Sequence, residues 1–262
     1  MNGNTENDKT FTIDGRAVNY VIAGDPSLPK LILLQGWGTN IAVYMVVIRW
    51  LSERYQVFMP EFPGFGTSEE PDAAFSVDDY ADFVIKFMDK IGITNSTDTG
   101  KCAVFAHSHG CRVAIKLLSG GHKARFGKAV FTGAAGVVHK RTFKQNLGSA
   151  VFKIGKFMLR NNPKQLELYR NRHGSPDYRA ASPVMRESLV KIVNEDLRQY
   201  MPQITSAVLL IWGTHDNETP IGDGKIMAEL IPNAGLAPIA GAGHYAFLDS
   251  CALFNEIMNK FV

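Results

Sequence analysis

The chain predicts an α/β fold, with a mostly parallel central sheet, helices on both faces and an inserted helical cap. Two observations carry this. Short, almost wholly apolar runs alternate with segments of helical spacing, the pattern of strands buried on both faces and joined by helical crossovers. The chain is also long and apolar enough to bury a full core as one large domain, with 262 residues, 45% of them hydrophobic and 20% charged.

Taken in order, Phe11 to Tyr20 sets the turn pair Asp14-Gly15 between two alternating runs and predicts a β-hairpin. Buried strands are expected at Leu31–Leu34, Val57–Met59, Cys102–Ala106, Lys128–Thr132 and Ala207–Trp212. Helical spacing separates them at Ile41–Tyr55, Val77–Ile91, Gly110–Leu118 and Ile221–Ile231. A strand near Gly235–Ile239 and an amphipathic helix at Cys251–Val262 close the layout. The stretch from Val137 to Gln203 is helical in pattern and contains no core strand. Residues 1–136 and 204–262 therefore read as the core, and 137–203 as a cap inserted over the sheet's carboxyl edge. Alone, that stretch reads equally well as a peripheral excursion; a lid becomes the better reading only with a site beneath it.

Several function classes drop out. Met1 to Thr10 is polar and lacks the blocks of a secretory signal, and no apolar run reaches bilayer length, so a cytoplasmic protein without a membrane span is expected. The sequons Asn95-Ser-Thr97 and Asn217-Glu-Thr219 then carry no weight. Cys102, Cys111 and Cys251 form an odd set without C-x-x-C spacing and read as small hydrophobes. Neither a metal nor a cofactor is expected. A net charge of +3 makes no case for nucleic acid. Its distribution is uneven, however. Between His139 and Pro202 stand 13 Lys and Arg against 5 Asp and Glu, a net +8 that leaves −5 for the rest. Helical Lys and Arg ordinarily occupy a solvated face; in a cap, part of this charge would face the pocket mouth and draw in anionic substrates.

The chemistry begins at Val104-Phe-Ala-His-Ser-His-Gly-Cys-Arg112, an apolar strand running through Ser108 into a helical pattern. A serine on a sharp strand-to-helix turn needs small residues two places either side, supplied here by Ala106 and Gly110, the Ala variant of Gly-x-Ser-x-Gly. In isolation Ser108 reads as well as a helix cap. Two further loops change that. Leu209 to Pro220 is a buried strand leading into a loop with Asp216, and Gly241 to Asp249 offers His244 in a glycine-rich loop. Each follows a predicted strand, so the three side chains are expected on one edge of the sheet. Asp223 and Glu218 are rival acids, but Asp216 sits closest to the strand end.

With these motifs in view, the sequence resembles the α/β-hydrolase superfamily over nearly its whole length, specifically the capped esterase and carbon–carbon hydrolase-like branch. Leu34-Gln-Gly-Trp-Gly38 is similar to the family's His-Gly-x-x oxyanion loop, and Pro60 to Ser68 to its Asp-x-Pro-Gly-x-Gly-x-Ser turn. Ser, Asp and His also follow in the family's chain order. Three departures stand out. Gln35 replaces histidine but keeps an amide for hydrogen bonding, Glu61 replaces aspartate, and Cys111 replaces a second glycine.

The resemblance implies that Ser108 is the nucleophile, His244 its base and Asp216 the orienting acid, with the Trp37 and His109 backbone N–H groups as oxyanion donors. Gly36, Trp37, His109 and Tyr245 are the expected pocket residues. His107 and His109 are unpersuasive as metal ligands, since no carboxylate cluster accompanies them; His109 is expected to face the pocket and His107 to pack behind it. The implied function is cleavage of a carboxylic ester-like bond in a small or medium substrate through an acyl-enzyme. Carbon–carbon hydrolysis of vinylogous diketones and ligand reception with a slow triad are the alternatives. Serine at the elbow argues against haloalkane dehalogenases and epoxide hydrolases, which use aspartate there.

Overall fold

Continuously apolar runs become strands because only the sheet interior buries both of their faces. In a computed structural model, which describes residues 7–94, 100–139, 152, 154–155 and 157–261, the strands are β1 (Asn7–Ile13), β2 (Arg16–Ala23), β3 (Lys30–Leu34), β4 (Gln56–Pro60), β5 (Cys102–His107), β6 (Phe126–Thr132), β7 (Val208–Gly213) and β8 (Ala234–Ile239). They form one eight-stranded sheet in the order β1-β2-β4-β3-β5-β6-β7-β8. The β1/β2 hairpin and the β2/β4 pair are antiparallel, and every later pairing is parallel. The mostly parallel sheet and the hairpin are therefore as expected, with strand ends shifted by one or two residues.

Alternate residues of the central strands feed opposite faces, as the period of two requires. Ile32, Leu34, Val104, Ala106, Leu210 and Trp212 pack on one side, and Leu31, Leu33, Ala103, Phe105 and Ile211 on the other. The helices α1 (Ile41–Leu51) and α9 (Cys251–Asn259) cover the second face; α2 (Val77–Lys90), α3 (His109–Ser119) and α7 (Ile221–Leu230) cover the first. α8 (Ala246–Asp249) precedes α9. Cys102 and Cys111 are buried and Cys251 is half-buried, all with free thiols.

Between β6 and β7 the chain carries α4 (Pro163–His173), α5 (Pro176–Ala180) and α6 (Pro183–Asn194). Each starts at a side-chain cap followed by proline, at Asn162-Pro163, Ser175-Pro176 and Ser182-Pro183, which pairs a satisfied orphan N–H with a preset backbone angle. Met185, Ile192, Leu197 and Met201 join the core cluster beneath. Leu197 N–H donates to Gly136 O at 2.9 Å, closing the excursion where it leaves and re-enters the core. Residues 140–151, 153 and 156 of the expected cap, and Asn95 to Thr97, lie outside the described residues. No helix of the described residues is long and apolar enough to cross a membrane.

Glu61 and Gln35 brace the loops at the carboxyl edge. Glu61 Oε1 accepts from Ile41 N–H at 3.0 Å, satisfying the start of α1, and its Oε2 accepts from Thr67 N–H at 2.7 Å and Asn19 Nδ2 at 3.1 Å. A Cβ on Gly66, at φ 58°, would lie 2.1 Å from that carboxylate, so the turn tolerates only glycine there. The Gln35 amide donates to Thr39 O and accepts from Phe62 N–H, so the replaced histidine's loop keeps a polar brace. Glu61→Ala should lower unfolding free energy by about 3 kcal/mol, because several buried donors lose their acceptor at once. An unchanged midpoint in urea denaturation would show that the carboxylate does not brace these loops.

Candidate active site

The turn at Ser108 is geometrically forced. Strand β5 ends at His107 and α3 starts at His109, so one residue must reverse the chain, and Ser108 does so at φ 50°, ψ −112°. Such a conformation is costly for a non-glycine residue and persists only where its surroundings dictate it. Here Ser108 N–H donates to Thr132 O at 3.1 Å, and Ser108 O accepts from Cys111 N–H and Ala135 N–H. A Cβ on Gly110 would lie 2.2 Å from Leu34 O, so helix and strand touch backbone to backbone.

His244 and Asp216 meet as expected from the sequence. His244 Nδ1 lies 2.8 Å from Asp216 Oδ2, with both side chains nearly inaccessible. Asp216 Oδ1 accepts from the Glu218 and Thr219 N–H groups, and Oδ2 also accepts from Thr219 Oγ1, each at 2.9 Å. Burial alone would raise the Asp216 pKa, but the hydrogen bonds from His244 and Thr219 hold it below the ordinary carboxylate value. Trp212 at the end of β7 anchors this loop through Nε1–H to Thr219 O at 2.7 Å. A Cβ on Gly133 would lie 3.0 Å from His244 Nδ1, so this glycine at the end of β6 gives the imidazole its room.

The rival acids are placed elsewhere. Glu218, largely exposed, lies on the other side of the imidazole with Oε2 3.4 Å from His244 Nε2. Asp223 pairs with His139 Nε2 at 2.5 Å. Among the described residues Ser108 Oγ makes no hydrogen bond, and Ser108 and Thr219 line one cavity of about 550 Å³.

His107 is fully buried behind the elbow. Its Nε2 lies 3.2 Å from His244 O, a carbonyl that only accepts, so Nε2 carries the proton and Nδ1 accepts from Tyr44 OH at 2.9 Å. Tyr44 OH in turn accepts from Gly36 N–H at 2.7 Å. One chain of hydrogen bonds thus ties the Gly36-Trp37 loop, the elbow and the histidine loop together. His109 borders the cavity at the start of α3, but its ring is wedged among Trp37, Phe62 and Tyr80, and both ring nitrogens lack partners. Its N–H is an orphan donor of a helix start, and among the described backbone turns Trp37 N–H is also unused.

Trp37 lines the cavity as expected; Gly36 and Tyr245 do not. Gly36 is buried against His107 and the Ser108 Cβ, so it shapes the elbow from behind. Tyr245 is turned onto the His107 ring, 4.8 Å away. Of the two readings of the basic segment, a solvated face and a charged pocket mouth, its described residues fit the first. His139, Asp177 and apolar side chains of α6 line the cavity from that side, and none of its described Lys or Arg does. These cations are engaged elsewhere: Arg186 forks onto Glu167 at 2.8 and 2.9 Å, and Lys191 reaches Ala74 O. Thr219, Gly133, Tyr44 and Arg112, the last a cavity residue from α3, were not singled out from the sequence. The Asp216-x-x-Thr219 turn pattern and an arginine four residues after Ser108 were the available signals. Among the described residues no group of three or more His, Cys, Asp or Glu is placed to hold a metal ion.

Fold, elbow and loop order define an α/β-hydrolase, and the comparisons agree. The Alpha/beta hydrolase family model matches residues 31–257, so the chain belongs to the α/β-hydrolase family. It is 22% identical to 3-oxoadipate enol-lactonase 2 of Acinetobacter baylyi, over 96% of this chain and 97% of that one. It is 26% identical to the pimeloyl-[acyl-carrier protein] methyl ester esterase of Legionella pneumophila, over 88% and 94%. The crystal structure of the enol-lactonase from Burkholderia xenovorans LB400 superposes with a TM-score of 0.73 at 20% identity, covering 97% of this chain and 99% of that one.

Burial pushes the pKa of both His107 and His109 down to about 3, against about 6.5 in the unfolded chain. With the folded values depressed, their contribution to stability is complete above pH 6.5 and is lost as pH falls toward 3. Each should remove on the order of 2 kcal/mol by pH 5. Urea denaturation at pH 7 and pH 5 reads this directly, and equal stability at the two would contradict neutral, buried imidazoles.

Proposed function

We propose that this α/β-hydrolase cleaves carboxylic esters of small or medium substrates through an acyl-enzyme on Ser108, with residues 137–203 acting as a cap over the site. The observation that carries the reading is the pairing of a strained, partly exposed Ser108 with an imidazole clasped to a buried carboxylate at the same sheet edge. The relatives' names, an enol-lactonase and a methyl ester esterase, support it.

A serine hydroxyl is a weak nucleophile at neutral pH and needs a base as it attacks. His244 Nε2 takes the proton while Ser108 Oγ bonds to the ester carbonyl carbon. Asp216, on Nδ1, fixes the tautomer and stabilises the imidazolium. The N–H groups of Trp37 and His109 stabilise the oxyanion, each contributing roughly 3 kcal/mol. Collapse breaks the bond to the leaving alcohol, which receives the proton from His244. Water then repeats the sequence and frees the acid and Ser108. Glu218, beside Nε2, adds a negative charge that favours the transient imidazolium.

Ser108→Ala and His244→Ala should each lower turnover of p-nitrophenyl acyl esters roughly 10⁴- to 10⁶-fold, and the double variant should be scarcely worse, because the groups act as a unit. Losses that add in free energy would show that the two residues do not share one mechanism. Turnover should also rise from acid toward neutral pH, since only neutral imidazole accepts the serine proton; a flat profile removes His244 as the base.

A further inference from the structure

The cavity beside Ser108 contains a guanidinium that no carboxylate claims. Arg112 lies one helical turn after Ser108 along α3, so its side chain rises on the same face as the elbow. The residue is 6% exposed and lines the cavity. Among the described residues its one hydrogen bond runs from Nη1 to the backbone carbonyl of Glu195, at 2.9 Å.

The acids around it each have another partner. Glu195 is 2.7 Å from Lys116 Nζ, Asp196 pairs with Arg198, and Asp223 is 2.5 Å from His139 Nε2. Among the described residues Nε and Nη2 of Arg112 have no partner, and they are not sealed in the interior, so they remain accessible on a residue that lines the cavity. Burial lowers the Arg112 pKa only to about 10, and the group stays charged at neutral pH. A buried guanidinium with unused donors is expensive to maintain, and its planar fork matches a carboxylate in shape and charge.

We propose that Arg112 binds a carboxylate on the substrate, which makes the preferred substrate a half-ester or lactone of a dicarboxylic acid. One turn of helix, about 5.4 Å along the axis, separates the backbones of Ser108 and Arg112, so a short dicarboxylate chain can span the two. A single carboxylate fits better than a phosphate dianion, because among the described residues no other Lys or Arg lines the cavity while Asp177, Glu218 and Asp223 do. The cation comes from the helix under the nucleophile, not from the basic segment above it.

The proposal rests on the serine-hydrolase reading, and the two fail separately. Binding of monomethyl glutarate and its neutral counterpart dimethyl glutarate to the Ser108→Ala protein, measured by titration calorimetry, needs no turnover. The monoanion should bind at least about tenfold more tightly, and adding Arg112→Gln should erase the preference. Equal affinities in Ser108→Ala, or a preference that survives Arg112→Gln, would overturn the proposal. A purely structural arginine, stapling Glu195, would instead weaken both ligands alike on replacement. If Arg112→Gln does not fold, Arg112→Lys keeps the charge without the fork and should reduce the preference several-fold; an undiminished preference there would sink the assignment. Ester turnover that persists in Ser108→Ala overturns the serine reading, whichever way the calorimetry falls.

Discussion

Ser108 holds a backbone conformation that a serine does not keep unless the surrounding structure imposes it, at a cost of about 1–3 kcal/mol. The rest of the carboxyl edge is arranged around that one residue. Strand β5 ends between β3 and β6, and Thr132 at the end of β6 supplies the carbonyl that receives the Ser108 N–H. Gly110 lets α3 start against the backbone of Leu34, and Gly36 lets the next loop press on the Ser108 side chain. Burying each large apolar side chain of β5 is worth roughly 1.5–3 kcal/mol, so the strand that delivers the elbow readily outweighs its strain. The proposed oxyanion donors, the Trp37 and His109 N–H groups, belong to the two segments packed against this turn.

Loops carrying the imidazole and its carboxylate are aligned by contacts of the same kind. Backbone meets backbone where a Cβ on Gly213 would lie 2.2 Å from Gly243 O, and Gly133 makes space beside His244. The Gly36–Tyr44–His107–His244 chain then ties loops far apart in sequence into one unit. The Tyr44 hydroxyl and both His107 ring nitrogens are buried and matched, which is the condition under which a polar network rigidifies a site instead of weakening it.

The strands and the turn at Ser108 were legible because their signals are local. Leu31–Leu34 and Cys102–Ala106 are apolar throughout since both faces are covered, and Ala106 and Gly110 flank Ser108 within five residues. Asp216 could be preferred over Asp223 and Glu218 for the same local reason, its nearness to a strand end. What could not be read depends on which way a side chain turns. Tyr44 and His107 are 63 residues apart, and nothing in either neighbourhood announces the bond between them. Tyr245 sits next to His244, yet its ring packs on His107. The basic stretch is a similar case. Composition gives this stretch a net +8, but Arg186 pairs with Glu167, and among the described residues the Lys or Arg that lines the cavity is Arg112, on α3.

Division of labour follows from this geometry. The sheet edge holds Ser108, Asp216 and His244, α3 contributes the buried guanidinium, and the α4–α6 excursion supplies apolar walls with Asp177. The central claim is that Ser108 is the nucleophile, and it is tested most directly by labelling with a fluorophosphonate followed by peptide mapping. The account predicts a single adduct, on Ser108, that forms more slowly when His244 is replaced by alanine. An adduct on any other residue, or none at all in the folded protein, would contradict it.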